Sequence, residues 1–346
     1  MRIAVVGSGM AGLTAARTLS DHGHSVVVVD KGRLPGGRMA TTEMVGGARS
    51  DKGAQFFTAR SPEMTEAVGR WTDVGLVHRW CSGFARSDGH PRYATSGGMA
   101  RLMGHPAEGL DVRQSVHVDA VRPTGQGWEV AWPEAYGSPA GSLVADAVVV
   151  TTPVPQAAAL LDGIAAVPDL AYDATISLTL ALSAPASVPS PGGVQLSGDP
   201  VWSWIGDNVA KGTSSLPALT LHTTAEFASA HWDDDAGQLM AELVALAVPW
   251  TGGAAVVDAR LHRWRYATPV EPYPERFCEV APGLYLAGDA FGGPRVEGAF
   301  LSGLAAADRI DVDGPQLLPE PLAASYLDAT TGVVTVSNEG AGYPKR

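Results

Sequence analysis

The strongest constraint on the fold is a glycine-rich turn that follows the first apolar run of the chain. Residues 3–6 are apolar and mostly β-branched, as in a buried parallel strand, and Gly7, Gly9 and Gly12 come directly after them. Residues 13–19 have a helical pattern, and a second strand over residues 25–29 ends at Asp30. This order of strand, G-x-G-x-x-G turn, helix, strand and acid predicts a dinucleotide-binding βαβ unit.

Each position of this turn has a physical task. Gly7 makes the tight turn, Gly9 lets the backbone approach a pyrophosphate, and Gly12 lets the helix pack closely on the strand. The free N–H groups at the helix start favour phosphates, and Asp30 would accept hydrogen bonds from a ribose that carries free hydroxyls. The cofactor contacts predicted at this end are Gly7, Ser8, Gly9, Met10, Ala11, Gly12, Asp30 and Lys31.

Composition excludes several classes of protein. The length of 346 residues exceeds what one hydrophobic core usually holds, so we expect two domains. The net charge of −12 argues against a nucleic-acid partner, because phosphate backbones need a basic face. The two cysteines are far apart in sequence, and the sequence has neither an H-E-x-x-H nor a G-x-S-x-G motif. We therefore expect no disulfide framework, no metal site and no serine-hydrolase elbow.

The sequence also predicts where the protein acts. No run of the chain reaches the roughly 18 apolar residues of a membrane helix. The apolar run at residues 3–6 is too short for a signal peptide, because glycines interrupt it. We expect a cytoplasmic protein that does not enter a membrane.

Later motifs indicate which dinucleotide is bound. Residues 34–40 (L-P-G-G-R-M-A) resemble the G-G-R turn of the amine-oxidase superfamily of flavoproteins, and residues 51–58 (D-K-G-A-Q-F-F-T) resemble its next flavin-side loop. Residues 283–290 resemble the strand and Gly-Asp pair that hold the FAD ribityl chain. Residues 291–307 read as a loop that leads into a helix, whose start favours negative charge on a reduced flavin.

This resemblance implies non-covalent FAD and a second set of contacts. Val118, in a strand expected over residues 112–121, resembles the position beside the adenine. The further contacts implied are Gly37, Arg38, Met39, Ala54, Gln55, Phe56, Val118, Gly288, Asp289, Arg295, Val296, Glu297, Gly298 and Ala299.

Within the superfamily, four motifs together resemble the renalase family, especially its bacterial members. They are G-G-R-M-A-T-T, G-A-Q-F-F-T-A-R, H-R-W-R-Y-A and G-G-P-R-V-E-G-A-F-L-S-G-L, the last being the most specific. The likeness covers roughly residues 1–310.

The expected fold class is α/β. A Rossmann-like FAD-binding domain of glutathione-reductase type, with p-hydroxybenzoate-hydroxylase-like topology, would be interleaved with an α+β substrate domain. We expect the FAD-binding domain to comprise residues 1–61, 96–155 and 259–310, and the substrate domain residues 62–95 and 156–258. We expect residues 311–346, which include a β-prone segment at residues 332–336, to form a C-terminal extension, and the oligomeric state is left open. The acidic run at residues 233–235 is expected to cap a helix over residues 238–247.

Two strands of the substrate domain carry the candidate catalytic groups. Residues 202–205 alternate like a strand, so Trp202 and Trp204 are expected to share one face. Asn208 follows that strand, and His222 lies on a second strand over residues 219–224. Both resemble renalase positions that face the flavin, which implies that they orient a nicotinamide. From the pattern alone, His222 would be a core histidine and Asn208 a turn residue.

The renalase resemblance implies an FAD-dependent oxidase. Its substrates would be the 2- and 6-dihydro isomers of NAD(P), with O2 reduced to H2O2. An amine or amino-acid oxidase is an alternative, and many such enzymes keep a lysine near the flavin. Only four lysines are present, of which Lys52 and Lys211 are candidates. A non-catalytic flavin-binding sensor is the other alternative, because fold does not determine function. Arg92, Arg263 and Arg265 are candidates to line the substrate's path.

Overall fold

A computed structural model describes residues 1–135 and 137–315 of the chain. Most of the expected C-terminal extension, including its β-prone segment at residues 332–336, lies outside the described residues. Residues 311–313 of that extension continue the last helix.

The predicted dinucleotide unit forms the centre of a six-stranded sheet. Its strands are β1 (Arg2–Val6), β2 (Ser25–Val29), β7 (Asp111–Arg113), β11 (Ala147–Val150), β17 (Cys278–Ala281) and β18 (Leu284–Leu286). They lie in the order β17-β18-β11-β1-β2-β7, with all neighbours parallel except the edge pair β17–β18. The sheet is thus assembled from the beginning, the middle and the end of the sequence, and the α/β, Rossmann-like prediction is confirmed.

Both faces of this sheet are covered, which explains why its central strands are apolar throughout. One face packs on α1 (Met10–Asp21) and α7 (Arg295–Asp313), through residues such as Leu19 and Ile310. The two helices can approach closely because residue 303 is glycine. A Cβ at this position would lie 2.3 Å from the Ala11 carbonyl oxygen. The other face packs on a three-stranded sheet of β8 (Ala120–Thr124), β9 (Gly127–Trp132) and β10 (Gly141–Ala145).

The second large sheet has five antiparallel strands. They are β12 (Tyr172–Leu182), β13 (Gly193–Gln195), β14 (Trp202–Asp207), β15 (Ala218–Thr223) and β16 (Val256–Pro269), in the order β13-β14-β15-β12-β16. Along β12 the sequence alternates, and Ile176, Leu178 and Leu180 belong to an apolar core with α5 (Ala225–Ala230) and α6 (Ala236–Ala247). The alternate residues of β12 therefore form a polar face opposite to those helices.

Shorter elements join the two sheets. They are the hairpin of β3 (Thr41–Glu43) and β4 (Arg49–Asp51), the hairpin of β5 (Val77–Cys81) and β6 (Arg92–Thr95), α2 (Pro62–Asp73), α3 (Ala100–Ala107), α4 (Val154–Leu160) and the 3-10 turns Gly37–Met39, Val45–Gly47 and Val248–Trp250. The expected acid cap is confirmed, because the Asp235 carboxylate accepts hydrogen bonds from the Gly237 and Gln238 N–H groups.

Two sequence predictions differ from the structure. The single strand expected over residues 112–121 is wrong, because β7 ends at Arg113 and β8 begins at Ala120, in a different sheet. Ser115 between them has a φ of 61°, which breaks the extended backbone. The expected domain boundary at residues 258/259 falls inside β16, which pairs with β12 over most of its length. The substrate sheet thus continues to Pro269.

In the part of the chain that the structure describes, no helix is both long and apolar enough to cross a membrane.

Candidate active site

The predicted phosphate turn lies at the carboxyl ends of parallel strands, where open α/β sheets bind ligands. Gly7 has a φ of 113° and donates its N–H to the Val29 carbonyl at 2.8 Å. A Cβ at Gly12 would lie 2.0 Å from the Gly7 carbonyl oxygen, so only glycine allows this helix–strand approach. At Gly9, by contrast, a Cβ would meet no described atom within 4 Å, and Gly9 caps α1 without a side-chain hydrogen bond.

Asp30 follows β2 at the same edge of the sheet. Its carboxylate accepts hydrogen bonds from the Ser8 N–H at 2.5 Å and the Gly32 N–H at 2.6 Å. Gln114, after β7, donates to the Ser8 hydroxyl at 3.2 Å, and its own buried carbonyl oxygen has no partner among the described residues. The acid therefore fixes the phosphate turn and lies where the adenosine ribose is expected. The neighbouring Lys31 is exposed.

The G-G-R turn contacts the segments that follow two strands of the sheet, β1 and β18. Gly36 donates its N–H to the Ser8 carbonyl at 3.0 Å. Arg38 forms a two-point ion pair with Asp289, at 2.8 and 2.6 Å, and also contacts the carbonyls of Tyr266 and Ala267 at 3.3 Å. The buried Met39 packs in the same core as Met10. Three segments that are far apart in sequence thus meet at one arginine.

The C-terminal motif forms the opposite wall. Gly288 donates its N–H to the Ser302 hydroxyl of α7 at 2.8 Å. A Cβ at Gly298 would lie 1.7 Å from the Gly293 carbonyl oxygen, so the loop folds tightly onto the helix start. Arg295, the first residue of α7, has a φ of 90°, a strained value for a residue other than glycine. Glu297 accepts hydrogen bonds from the N–H groups of residues 60 and 61 at 2.8 and 2.7 Å.

These residues fit FAD. Two helix N-termini, those of α1 and α7, lack a side-chain cap, and the positions of Gly9 and Gly288 open onto space in which no described atom would meet a Cβ. Such uncapped N–H groups beside an open cradle suit a pyrophosphate and an electron-rich ring. Val118, partly buried on the core beside β2, and Ala54, half-buried beside Met39, border the same region. Val296 is buried and Ala299 half-buried in the core that Met39 shares.

The polar face of the five-stranded sheet meets the flavin-side loop. Cross-strand pairing places Trp204, His222, Ser177 and His262 in one row, and directly paired residues share a face. Gly206, Thr220, Thr179 and Arg260 form the next row. Opposite this face, the Phe56 ring lies 5.6 Å from the Trp204 ring, and Lys52 accepts a hydrogen bond from Trp264 at 2.8 Å through its carbonyl.

A β-bulge changes the expected arrangement on β14. Trp202 pairs with Thr223, whereas Trp204 pairs with His222, so the register slips by one residue between them. Trp202 consequently belongs to the apolar core under α5 and α6, and Trp204 lies on the polar face with Phe56. The prediction that the two tryptophans share a face is therefore wrong, because strict alternation fails at a bulge.

The His222 ring is neutral near pH 7, and part of its hydrogen-bonding capacity is unused. Burial, and then the Lys211 charge, lower the pKa of His222 to about 4, although a hydrogen bond to the Lys52 main chain acts in the opposite direction. Its enclosed Nε2 atom has no partner among the described residues, and neither has the enclosed Nε1 of the buried Trp204 in the same row. Polar atoms that are buried without partners are uncommon and often indicate a ligand position.

Asn208, the other candidate, is completely buried. Its Nδ2 donates to Ser50 at 3.2 Å and to Thr220 at 3.0 Å, and its Oδ1 accepts the Asp51 N–H at 3.3 Å. The structure thus brings Asn208 and His222 to neighbouring strands but occupies the Asn208 amide with protein partners. A direct contact of Asn208 with substrate stays a prediction.

Sequence reasoning missed the role of Asp51, which anchors the β3–β4 hairpin to the second sheet. Its carboxylate is buried and accepts hydrogen bonds from Thr41 at 2.6 Å, the Met99 N–H at 2.8 Å and Thr213 at 3.0 Å. The fully buried Lys211 lies 3.0 Å from the same carboxylate. The signal was present, because Asp51 opens the D-K-G-A-Q-F-F-T motif.

The two lysine candidates occupy different environments. Lys211 donates to the Gln55 amide oxygen at 2.8 Å as well as to Asp51; burial lowers the pKa of Lys211, and the Asp51 charge opposes that effect. Gln55 in turn donates to the carbonyls of Asp51 and Gly53. Lys52 is half-buried and lies 6.0 Å above the Trp264 ring.

An aromatic cluster continues the polar face beyond Trp204. Its members are Phe56, Trp80, Phe84 and Trp204, with ring centroids 4.8–6.5 Å apart. Of the candidate arginines, Arg92 lies 5.8 Å from the Phe56 ring and is paired with Asp88. Arg263 donates to the Asp234 carbonyl, and Arg265 lies over Trp232, so neither contacts this cluster.

Comparisons with protein families agree with this geometry. Residues 5–71 match the model of an NAD(P)-binding Rossmann-like domain, and residues 218–311 match that of flavin containing amine oxidoreductase. The first segment covers the phosphate turn, and the second covers β15, β16, β18 and most of α7.

Curated relatives match only a short part of this chain. A hydroxyneurosporene desaturase of Rubrivivax gelatinosus is 49% identical over 59 residues, which are 17% of this chain and 11% of that protein. A 15-cis-phytoene desaturase of Synechococcus elongatus is 33% identical over 66 residues, or 19% of this chain and 14% of that protein. The matches therefore span only a small fraction of these relatives.

Solved structures resemble the whole fold. A protein described as a protoporphyrinogen oxidase, from Exiguobacterium sp. 255-15, superposes with a TM-score of 0.68 at 14% identity, over 90% of this chain and 99% of the other. Putrescine oxidase bound to putrescine gives a TM-score of 0.63 at 16% identity, over 90% and 99% of the two chains. At such identities the likeness shows the fold alone.

Proposed function

We propose that this chain, a flavoprotein of the flavin-containing amine oxidoreductase superfamily, is an FAD-dependent oxidase of renalase type. Its substrates are the 2- and 6-dihydro isomers of NAD(P). The reaction converts dihydronicotinamide, O2 and a proton into NAD(P)+ and H2O2. Bound FAD supplies the two-electron acceptor for the hydride and the reactivity that passes those electrons to O2.

One observation carries this proposal. Trp204 Nε1 and His222 Nε2 are enclosed, lack described partners and belong to cross-strand neighbours. The His222 ring is neutral near pH 7, so its partnerless Nε2 can accept a hydrogen bond when the other nitrogen carries the proton, whereas the indole N–H can only donate. A carboxamide, such as that of nicotinamide, presents one acceptor and two donors. The pair is thus complementary to it.

The surrounding groups support a planar substrate that reacts without a strong base. The rings of Phe56, Trp80 and Phe84 beside Trp204 offer flat apolar surfaces for a pyridine ring. A dihydropyridine donates hydride directly and becomes aromatic, so the protein's task is to position it. We assign His222 to substrate orientation, and Asn208 to positioning of the β4 and β15 backbones that hold the site.

An amine oxidase is the second candidate, and one observation favours it. An aromatic cluster can attract an ammonium group through its ring faces, and putrescine oxidase shares the fold. Two observations weigh against it. Arg92 already lies over two of these rings, and the Lys211 ammonium is held by Asp51 and Gln55.

The test is anaerobic mixing of the purified yellow protein with three kinds of donor. These are borohydride-reduced NAD isomers, ordinary NADH and a panel of primary and secondary amines. We expect rapid loss of flavin absorbance with the 2- and 6-dihydro isomers and slow loss with NADH. Bleaching by an amine, with the isomers inert, would replace this proposal by the second candidate.

A further inference from the structure

A cavity of about 190 Å³ lies between the β3–β4 hairpin and the polar face of the second sheet. This volume is the liquid share of about six water molecules, enough for one or two phosphate groups but too small for a dinucleotide. The polar residues that line it are Thr42, Lys52, Ser177, Thr179, Arg260 and His262.

Two hydroxyls in this cavity lack partners. Ser177 and Thr179 are 0% and 1% exposed, and neither side-chain oxygen has a hydrogen-bond partner among the described residues. Both residues alternate with the leucines and isoleucine of β12 that build the apolar core, so the fold fixes their direction. Leaving a buried hydroxyl unsatisfied is costly, and a serine or threonine hydroxyl can donate to an anion.

The charge of the cavity is positive. Within residues 1–135 and 137–315, no carboxylate lies within ion-pair distance of the Lys52 ammonium, and Arg33 adds a second positive charge nearby. Arg260 is half-exposed and pairs with Asp258 at 3.0 Å, although that carboxylate also accepts the Val45 N–H.

The histidine of the cavity adds no charge at neutral pH. Burial, and then the Lys52 charge, lower the pKa of His262 to about 4, so its ring is neutral and retains one N–H donor. Hydroxyl donors, a neutral imidazole and an ammonium without a carboxylate partner, in a lining that includes no carboxylate, argue against a cation as the occupant and favour an oxyanion.

We propose that this cavity is an oxyanion site that binds a phosphate or diphosphate group through Lys52, Arg260 and the hydroxyls of Ser177 and Thr179. Ser177 and His262, which line the cavity, continue the cross-strand row of Trp204 and His222, so the site lies next to the two groups assigned to the nicotinamide. The group comes either from the dinucleotide substrate, a reading that rests on the proposed function, or from a free anion of the same chemistry.

The first test measures anion binding alone. Inorganic pyrophosphate and phosphate are titrated calorimetrically into the FAD-loaded wild type and into Lys52→Gln, Thr179→Val and Arg122→Gln variants at low ionic strength. Arg122, on β8 in a different sheet, is the charge-matched control. We expect Lys52→Gln and Thr179→Val each to weaken binding roughly tenfold, as for the loss of a hydrogen bond to a charged group, and Arg122→Gln to leave it unchanged.

Thr179→Val is the sharper variant, because it keeps the side-chain shape and removes only a hydroxyl without a partner. Its melting temperature should equal or exceed that of the wild type, whereas a hydroxyl with a structural role would lower it. The proposed anion site would be refuted if all four proteins bound the anion with equal affinity, or if Arg122→Gln lost affinity as the other two variants do.

The second test identifies the source of the anion. Steady-state oxidation of 6-dihydro-NAD is compared with that of the phosphate-free dihydronicotinamide riboside. A substrate phosphate in the cavity predicts that Thr179→Val raises KM for the dinucleotide roughly tenfold, with kcat and the riboside kinetics unchanged. Unchanged dinucleotide kinetics, with pyrophosphate binding lost, would assign the cavity to a free anion. If neither compound is oxidised, the proposed function is refuted. The calorimetric titrations would still show whether the cavity binds an anion.

Discussion

The cofactor cradle and the polar face of the second sheet are built in opposite ways. The cradle consists of backbone: Gly7 and Gly12 permit a close approach, and Gly9 leaves open space for phosphates. The polar face consists of side chains from four strands, whose direction depends on register and on one bulge. A site made of backbone has a local sequence signature, whereas a site made across strands has none.

The largest expected effect tests the backbone half of this contrast. Gly9→Val should abolish FAD binding, because the side chain fills the space meant for the pyrophosphate, while the fold tolerates it since no described atom lies within 4 Å of the new Cβ. The measurement is the ratio of flavin absorbance to protein, with circular dichroism to verify folding. Gly12→Val is the contrasting variant and should fail to fold, because its Cβ would overlap the Gly7 carbonyl. Stoichiometric FAD in folded Gly9→Val would contradict the cradle.

The second prediction concerns the junction between the two regions. Lys211→Met should cost about 3–5 kcal/mol of unfolding free energy, because it leaves the buried Asp51 carboxylate without its cation. Urea unfolding followed by tryptophan fluorescence measures the loss. The double variant Lys211→Met/Asp51→Asn should recover much of it. A double variant as unstable as the sum of the two single variants would show that the pair is not coupled.

The third prediction tests the bulge, with two tryptophans that lie on opposite faces. Trp204→Phe should lower kcat/KM for a dihydronicotinamide by roughly 5- to 160-fold, because one hydrogen bond worth about 1–3 kcal/mol is lost, and should also cost some stability, since Trp204 packs in the aromatic cluster. Trp202→Phe should cost roughly 1–3 kcal/mol of stability through lost packing and leave kcat/KM almost unchanged. Steady-state assays and urea unfolding separate the two. Equal effects of both variants would contradict the assignment of faces.

The same contrast explains which parts of the fold and the site could be predicted from the sequence. The βαβ unit and the acid at Asp30 follow from local patterns, the turns around Arg38 and Gly298 follow from the family resemblance, and the structure brings these segments to one edge of the sheet. Residues 112–121 could not be divided correctly, because an apolar–polar alternation does not reveal that the chain changes sheets at Ser115.

On the polar face, one extra residue in β14 makes the prediction from sequence wrong. Alternation places Trp202 and Trp204 together, but the slip at β14 separates them, and nothing in W-S-W-I indicates a bulge. Ser177 and Thr179 alternate visibly with apolar neighbours, yet their shared cavity depends on the pairing of β12 with β16, which is distant from it in sequence. Such non-local register is absent from a single sequence. The charge pair of Asp51 and Lys211 is hidden for the same reason.

The smallest expected effect is on the pH dependence of stability. We attribute part of that dependence to a histidine on the polar face. The pKa of His222 lies at about 4 in the folded protein, below its ordinary value of 6.5, so the unfolded chain takes up a proton first as pH falls. This histidine therefore adds a loss of stability of about 1.4 kcal/mol per pH unit between roughly pH 6.5 and 4, and nothing above pH 7. Urea unfolding at several pH values gives the slope.

His222→Gln should reduce that slope, leaving the contribution of His262, whose pKa is lowered in the same way. If His222→Gln kept the full slope, the imidazole would not be held neutral by burial. The His222 nitrogen that we assign as hydrogen-bond acceptor for the substrate carboxamide would then be protonated in the acidic range. The polar face would no longer be complementary to a carboxamide there.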